Sequence, residues 1–238
     1  MALLRQGLTA TEVARIASIP RSTVRDWGKS PGVRRSRPME CPGHDFSSLN
    51  APAYAYLLAM YLGDGCLSAH PRGVWRLRIT LDSKYPGIVA ECAAALVAVA
   101  PGRRVHVLSR RDQRSTEVSN CWKHWPCFFP QHGPGPKHAR PIVLADWQEE
   151  IVSAHREPFV RGLIHSDGTR IIATERKGRY VRRAPRYAFS NRSEDILGLF
   201  RFALDALGVH CTRASQKQIA IYSKAAVARL DEFVGLKS

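Results

Sequence analysis

The strongest constraint on this 238-residue chain is a nine-residue pattern that it carries twice. Residues 57–65 read LLAMYLGDG and residues 160–168 read VRGLIHSDG. Each is a largely apolar stretch that ends in Asp-Gly, with Asp64 and Asp167 at the same place. Two copies predict two equivalent helices, and so a chain built from two related halves. Ala59 and Gly63 stand one helical turn apart in the first copy, as do Gly162 and Ser166 in the second. Small side chains at that spacing let two helix backbones approach closely, so the helices are expected to pack side by side. Each Asp then falls at a helix C-terminus, where the dipole is negative and a cation is welcome. Gly65 and Gly168 are expected in the left-handed conformation that ends many helices.

The surrounding sequence repeats in the same order. A helix over 54–63 leads to a hairpin, and residues 75–81 (WRLRITL) alternate as a strand with one buried face does. An apolar helix over 86–99, strands at 103–109 and 115–121 and an amphipathic stretch at 144–154 follow. The second half offers a helix over 158–166, a strand at 170–174, an Arg-rich turn and a strand at 186–190. A helix then opens at Ser193 and closes at Gly208. Strands at 209–213 and 218–222 and a last helix over 225–233 complete it. The class expected is α+β, with helix, hairpin, helix, hairpin, helix in each half.

Both nine-residue segments resemble the motif that names the LAGLIDADG homing-endonuclease family, and the resemblance spans about residues 51–238. The second copy keeps Gly162, Leu163, Ile164, Asp167 and Gly168; the first keeps Leu57, Asp64 and Gly65. Ala59 stands where the family prefers Gly, and Leu62 and His165 replace its first aspartate. The resemblance implies two pseudo-symmetric α-β-β-α-β-β-α halves, about 51–142 and 143–238, forming a DNA-binding saddle. It implies metal-dependent, site-specific cleavage of double-stranded DNA, of the kind associated with intron- or intein-type mobile elements. Asp64 and Asp167 would be catalytic and metal-binding, with Gly63 and Ser166 beside them and Mg²⁺ or another divalent cation as cofactor, since hard oxygen ligands suit it. Family enzymes also place a basic residue near the metals. Lys137, Lys217 and Lys224 are the candidates. His132 and His138 are expected as structural or phosphate contacts, and Trp122 and Trp125 as core.

Charge agrees with a polyanionic partner. Lys and Arg number 36 against 20 Asp and Glu, a net charge of +16. Much of the surplus sits between residues 169 and 192: Arg170, Arg176, Lys177, Arg179, Arg182, Arg183, Arg186 and Arg192. This segment reads as a basic arm that grips phosphate and fixes register. Arg76 and Arg78, alternating with Leu77 and Ile79, are expected on one face of their strand.

Residues 1–30 read as a small all-α helix-turn-helix. Thr9 or Thr11 caps the first helix, with Glu12 in its first turn. The second helix would present Arg21, Ser22, Thr23 and Arg25 to DNA. Residues 31–50, rich in Pro, Gly, Ser and Arg, read as a linker. Some bacterial regulators resemble this arrangement, with a helix-turn-helix beside a LAGLIDADG domain that has lost its acids. A non-cleaving transcription regulator is therefore the alternative to the nuclease, and an intron maturase is a more distant one. The six cysteines show no disulfide framework. Cys41 and His44 have the spacing of half a zinc site, without an evident second half. No signal peptide, membrane span or intein splicing motif is read. The chain is expected in the cytoplasm with the nucleoid, working as a monomer in its catalytic domain.

Overall fold

A computed structural model describes residues 8–17, 43–177, 179–235 and 237. The chain divides into two units, Met1–Pro42 and Gly43–Ser238. In the first, the described element is α1 (Ala10–Ala17). Thr9 and Glu12 cap it reciprocally: the Thr9 N–H and hydroxyl donate to the Glu12 carboxylate at 2.8 and 2.7 Å, and the Glu12 N–H donates to Thr9 Oγ1 at 3.4 Å. Arg21, Ser22, Thr23, Arg25 and Cys41 lie outside the described residues.

In the larger unit the chain runs α2 (Ala51–Asp64), β1 (Gly65–His70), β2 (Val74–Asp82), α3 (Pro86–Val99), β3 (Val105–Arg110) and β4 (Ser115–Trp122). A short α4 (Trp125–Phe128), a 3₁₀ turn (Lys137–Ala139) and α5 (Asp146–Ala154) bridge the halves. Then come α6 (Arg156–Asp167), β5 (Gly168–Lys177), β6 (Tyr180–Ser190), α7 (Glu194–Ala206), β7 (Thr212–Ser215), β8 (Gln218–Ile221) and α8 (Lys224–Val234). The two antiparallel sheets have matching strand orders, β1-β2-β4-β3 and β5-β6-β8-β7. The expected α+β repeat is the fold this chain has.

The paired helices α2 and α6 form the middle of the core. Their small residues interlock as their spacing predicts. A Cβ on Gly162 would fall 2.6 Å from the Tyr56 carbonyl oxygen and 2.7 Å from Ala59 Cβ, and one on Gly63 would fall 2.2 Å from Ser166 Oγ. The left-handed helix ends do not occur. Gly65 (φ −86°, ψ 154°) and Gly168 (φ −97°, ψ 166°) are extended. Space is what requires glycine there: a Cβ would lie 2.5 Å from Tyr61 Cα in one case and 2.6 Å from Ile164 Cα in the other.

Each sheet turns one face to the helices. Leu67, Leu77, Ile79 and Val118 fill the first, and Tyr187, Phe189, Ile219 and Ile221 the second. The register sets Cys66, Arg78 and Ser119 in one row and Ser68, Arg76 and Cys121 in another on the opposite face.

Four boundaries differ from expectation. The Arg-rich stretch is ladder rather than turn, since β5 and β6 pair as far as Lys177↔Tyr180. Alternation fails there because the hairpin outruns the core, leaving Ile172 and Val181 66% and 57% exposed. Strand β1 has no apolar alternation to announce it. β7 begins at Thr212 because the chain after Gly208 (φ 67°) folds back, with Val209 N donating to Leu204 O at 2.9 Å. Residues 43–50, expected as linker, join the larger unit, where Phe46 stacks on Trp147 with ring centroids 3.8 Å apart.

Candidate metal centre at the paired helix ends

Because α2 and α6 interlock through Gly63 and Ser166, their last residues are brought together. A Cβ on Gly63 would lie 3.0 Å from Asp167 Oδ2, so each helix end abuts the other's aspartate region. Burial, and then the charge of Asp167, push the Asp64 pKa up to about 6, against the pull of Lys137 and Lys237. Asp167 is raised as well, chiefly by burial, although a hydrogen bond from Asn191 and the two lysines oppose it. Asn191 Nδ2 donates to Asp167 Oδ2 at 2.7 Å. Among the described residues nothing hydrogen-bonds the Asp64 carboxylate.

Two lysines complete the cluster. Lys137 Nζ donates to the carbonyl oxygens of Tyr61, Leu62 and Gly63, the last two at 3.1 and 2.9 Å. Lys237 Nζ donates to His165 O at 3.2 Å and to Gly168 O at 2.5 Å. Each ammonium thus caps the negative end of one motif helix. Burial lowers both lysine pKa values to about 8, while Asp64 and Asp167 pull them up. With the ammoniums directed at main-chain oxygens, carboxylate oxygen stays open.

That donor set fits a hard divalent cation. Two half-buried carboxylates, one without a hydrogen-bond donor, are costly as neighbouring charges, and a bound divalent cation would relieve that cost. Of the other expected ligands, the Gly63 carbonyl is taken by Lys137. The Ser166 hydroxyl is directed back at Gly162 O and Leu163 O, both at 3.1 Å. Lys217 and Lys224 are not brought to the cluster. Lys217 sits in the β7–β8 turn and Lys224 at the start of α8, and neither charge is felt by the aspartates. Lys237, beyond the last helix and absent from the sequence expectation, takes that place.

His165, the other unusual motif residue, is 5% exposed and structural. Its Nδ1 meets the Tyr56 hydroxyl at 3.0 Å and its Nε2 the Val234 carbonyl at 3.1 Å. His132 packs edge-on to Trp75, with ring centroids 4.8 Å apart. Trp125 is fully buried and Trp122 partly so.

The expected DNA-facing arginines are divided. Arg76 and Arg78 share the face of β2 turned away from the core. Arg76 is held by Glu117, 2% exposed, which also takes Arg110 at 3.0 Å. Arg170 lies on the opposite side of its sheet and is locked to Asp231 by two bonds of 2.7 and 2.8 Å, so it does not belong with the open face. Arg179, Arg183 and Arg192 are exposed and Arg186 half-buried. Arg192 lines the same cleft as Lys137 and Asp167. The side chains of Arg176, Lys177 and Arg182 lie outside the described part.

No protein-family model matches the chain, and no curated protein does. Solved structures match. Full-length DUF199/WhiA from Thermatoga maritima aligns with 83% of this chain at TM-score 0.52 and 15% identity. The alignment covers 58% of that protein, so this chain spans less than two thirds of its length. The homing endonuclease I-WcaI, solved bound to its DNA recognition sequence, covers 79% of this chain and 82% of its own at TM-score 0.48 and 9% identity. The LAGLIDADG meganuclease I-AabMI, bound to uncleaved DNA, covers 78% and 85% at TM-score 0.47 and 12% identity. At such identities the likeness concerns fold alone. Two antiparallel four-stranded sheets on paired helices are the fold that this chain shares with DUF199/WhiA.

Proposed function

We propose that this chain is a site-specific endonuclease of double-stranded DNA, with Asp64 and Asp167 holding the divalent metal that hydrolysis requires. One observation carries the reading: two half-buried carboxylates meet at paired helix ends beside two lysines, with carboxylate oxygen left open. A divalent cation bound there activates water and stabilises the oxygen that leaves the phosphodiester. Asp64 and Asp167 fix its position through the interlocked helices. Lys137 and Lys237, whose pKa burial lowers to about 8, stand beside the aspartates and offset the charge of the approaching phosphate. Arg78 on the open face of the first sheet, Arg186 on the corresponding face of the second, Arg179 at the turn of the long hairpin, and Arg192 in the cleft supply phosphate contacts. The net charge of +16 supports a nucleic-acid partner.

A second reading, a regulator that binds DNA without cutting it, is favoured by the capped helix α1, which suits the first helix of a helix-turn-helix. A plasmid carrying the DNA that flanks this gene separates the two. Linear product with Mg²⁺ and none with EDTA is the nuclease outcome. Tight, specific binding with no cutting in Mg²⁺ or Mn²⁺ is the regulator outcome.

A further inference from the structure

Away from the aspartates, one side-chain cluster has no part in that chemistry. His44, His124 and Cys127 bring two imidazoles and a thiol together, with ligand atoms all within 4.8 Å of one another. His44 belongs to the segment that enters the larger unit. His124 and Cys127 stand 80 and 83 residues on, where the turn after β4 becomes α4. His124 is the N-cap of that helix and Cys127 lies within it, so the sequence His-Trp-Pro-Cys sets two donors one turn apart. The Cys127 N–H donates to His124 O at 2.9 Å and fixes that spacing.

Aromatic rings brace the imidazoles. His44 stands edge-on to His124 at 4.7 Å and to Phe128 at 5.5 Å, and His124 stands edge-on to Trp122 at 5.3 Å. All three side chains are partly buried. Two histidines and a cysteine are the nitrogen and sulfur donors that zinc takes, while the cluster holds no carboxylate to suit Mg²⁺ or Ca²⁺. With zinc about 2.0–2.3 Å from each ligand atom, those atoms stand roughly 3.3–3.8 Å apart. Small side-chain rotations close the rest.

We propose that His44, His124 and Cys127 form a structural zinc site, which fastens the segment entering the larger unit to the turn after β4. Arg103 lies over the Trp122 ring at 5.7 Å, so the surroundings are cationic, and the Cys127 thiolate offsets part of the metal's charge. Tetrahedral zinc takes four donors. The sequence has a further thiol, Cys41, at the Cys-X-X-His spacing from His44. Cys41 lies outside the described residues, and the proposal rests on the three within them.

The test uses the untagged full-length chain, reconstituted with Zn²⁺ or Co²⁺ and desalted. Zinc measured by mass spectrometry is expected at about one per chain. The Co²⁺ form is expected to show a thiolate-to-cobalt charge-transfer band in the near ultraviolet. Cys127→Ser weakens that band by at least half, His124→Ala lowers bound zinc at least tenfold, and Asp64→Asn leaves zinc content unchanged. Zinc far below one per wild-type chain, a cobalt band of unchanged intensity in Cys127→Ser, or zinc lost with Asp64→Asn would each overturn the proposal. If the cluster variants fail to fold, the wild-type cobalt spectrum decides alone, because a spectrum without the thiolate band excludes Cys127 as a ligand.

Discussion

At Asp64 a carboxylate is buried beside a second carboxylate, and its pKa is held at about 6. The folded value lies above the 3.8 of the free side chain. The stability tied to this group is therefore full at pH below about 3.8 and lost as pH rises through about 6. Each tenfold change in acidity is worth about 1.4 kcal/mol, so the metal-free protein gives up on the order of 3 kcal/mol here at pH 8. Asp64→Asn should accordingly raise the melting temperature in EDTA at pH 8 by a few degrees, with the gain vanishing near pH 4. A variant less stable than wild type at pH 8 would contradict this electrostatic account. Lys237 gives a second test at this scale. Lys237→Met should lower the cleavage rate about 10²-fold or more with DNA affinity largely kept, while Lys217→Met and Lys224→Met should cut at the wild-type rate. Equal rates for all three variants would remove Lys237 from the site.

Between elements, close approach of α2 and α6 is what joins the two aspartates. Gly162 has backbone at the place a Cβ would occupy, 2.6 Å away, whereas Gly198 in α7 has nothing within 4 Å. Urea melts should show Gly162→Ala destabilised by about 1–3 kcal/mol through overpacking. Gly198→Ala should be neutral or stabilised by up to about 1 kcal/mol, because it removes a helix glycine in open space. Equal effects would mean that the helix pair does not depend on its small residues. This element-scale pattern is what a sequence displays best. Ala59, Gly63, Gly162 and Ser166 carry the packing in their spacing, and buried faces of strands such as β2 and β8 carry it in their alternation. Strand β1 and the outer half of the β5–β6 hairpin were illegible because ladder hydrogen bonds need no apolar pattern. Lys237 was missed for a different reason: nothing local marks it. Leu62 and His165 hold the same motif position, with Lys137 following the first by 75 residues and Lys237 the second by 72. Comparing the two copies over that distance would have found it. The same comparison of short spacings, Cys41 to His44 against His124 to Cys127, would have shown a second Cys/His pair in the sequence.

For the whole molecule, a surplus of sixteen positive charges makes DNA affinity depend steeply on salt. Each phosphate contact should add about 0.9 to the slope of log affinity against log salt. Arg179→Ala at the exposed hairpin turn and Arg186→Ala on the open face of the same hairpin should each reduce that slope by about one without altering sequence preference. A slope unchanged by both would place the hairpin away from the DNA. The central claim is that Asp64 and Asp167 together hold the metal that cuts DNA. Its most direct test measures binding and cleavage of one target DNA side by side for wild type, Asp64→Asn and Asp167→Asn in Mg²⁺. The account predicts that both substitutions abolish cleavage and leave affinity within a few-fold of wild type. Cleavage that persists in either variant, or a wild-type protein that binds the target and never cuts it, would contradict it.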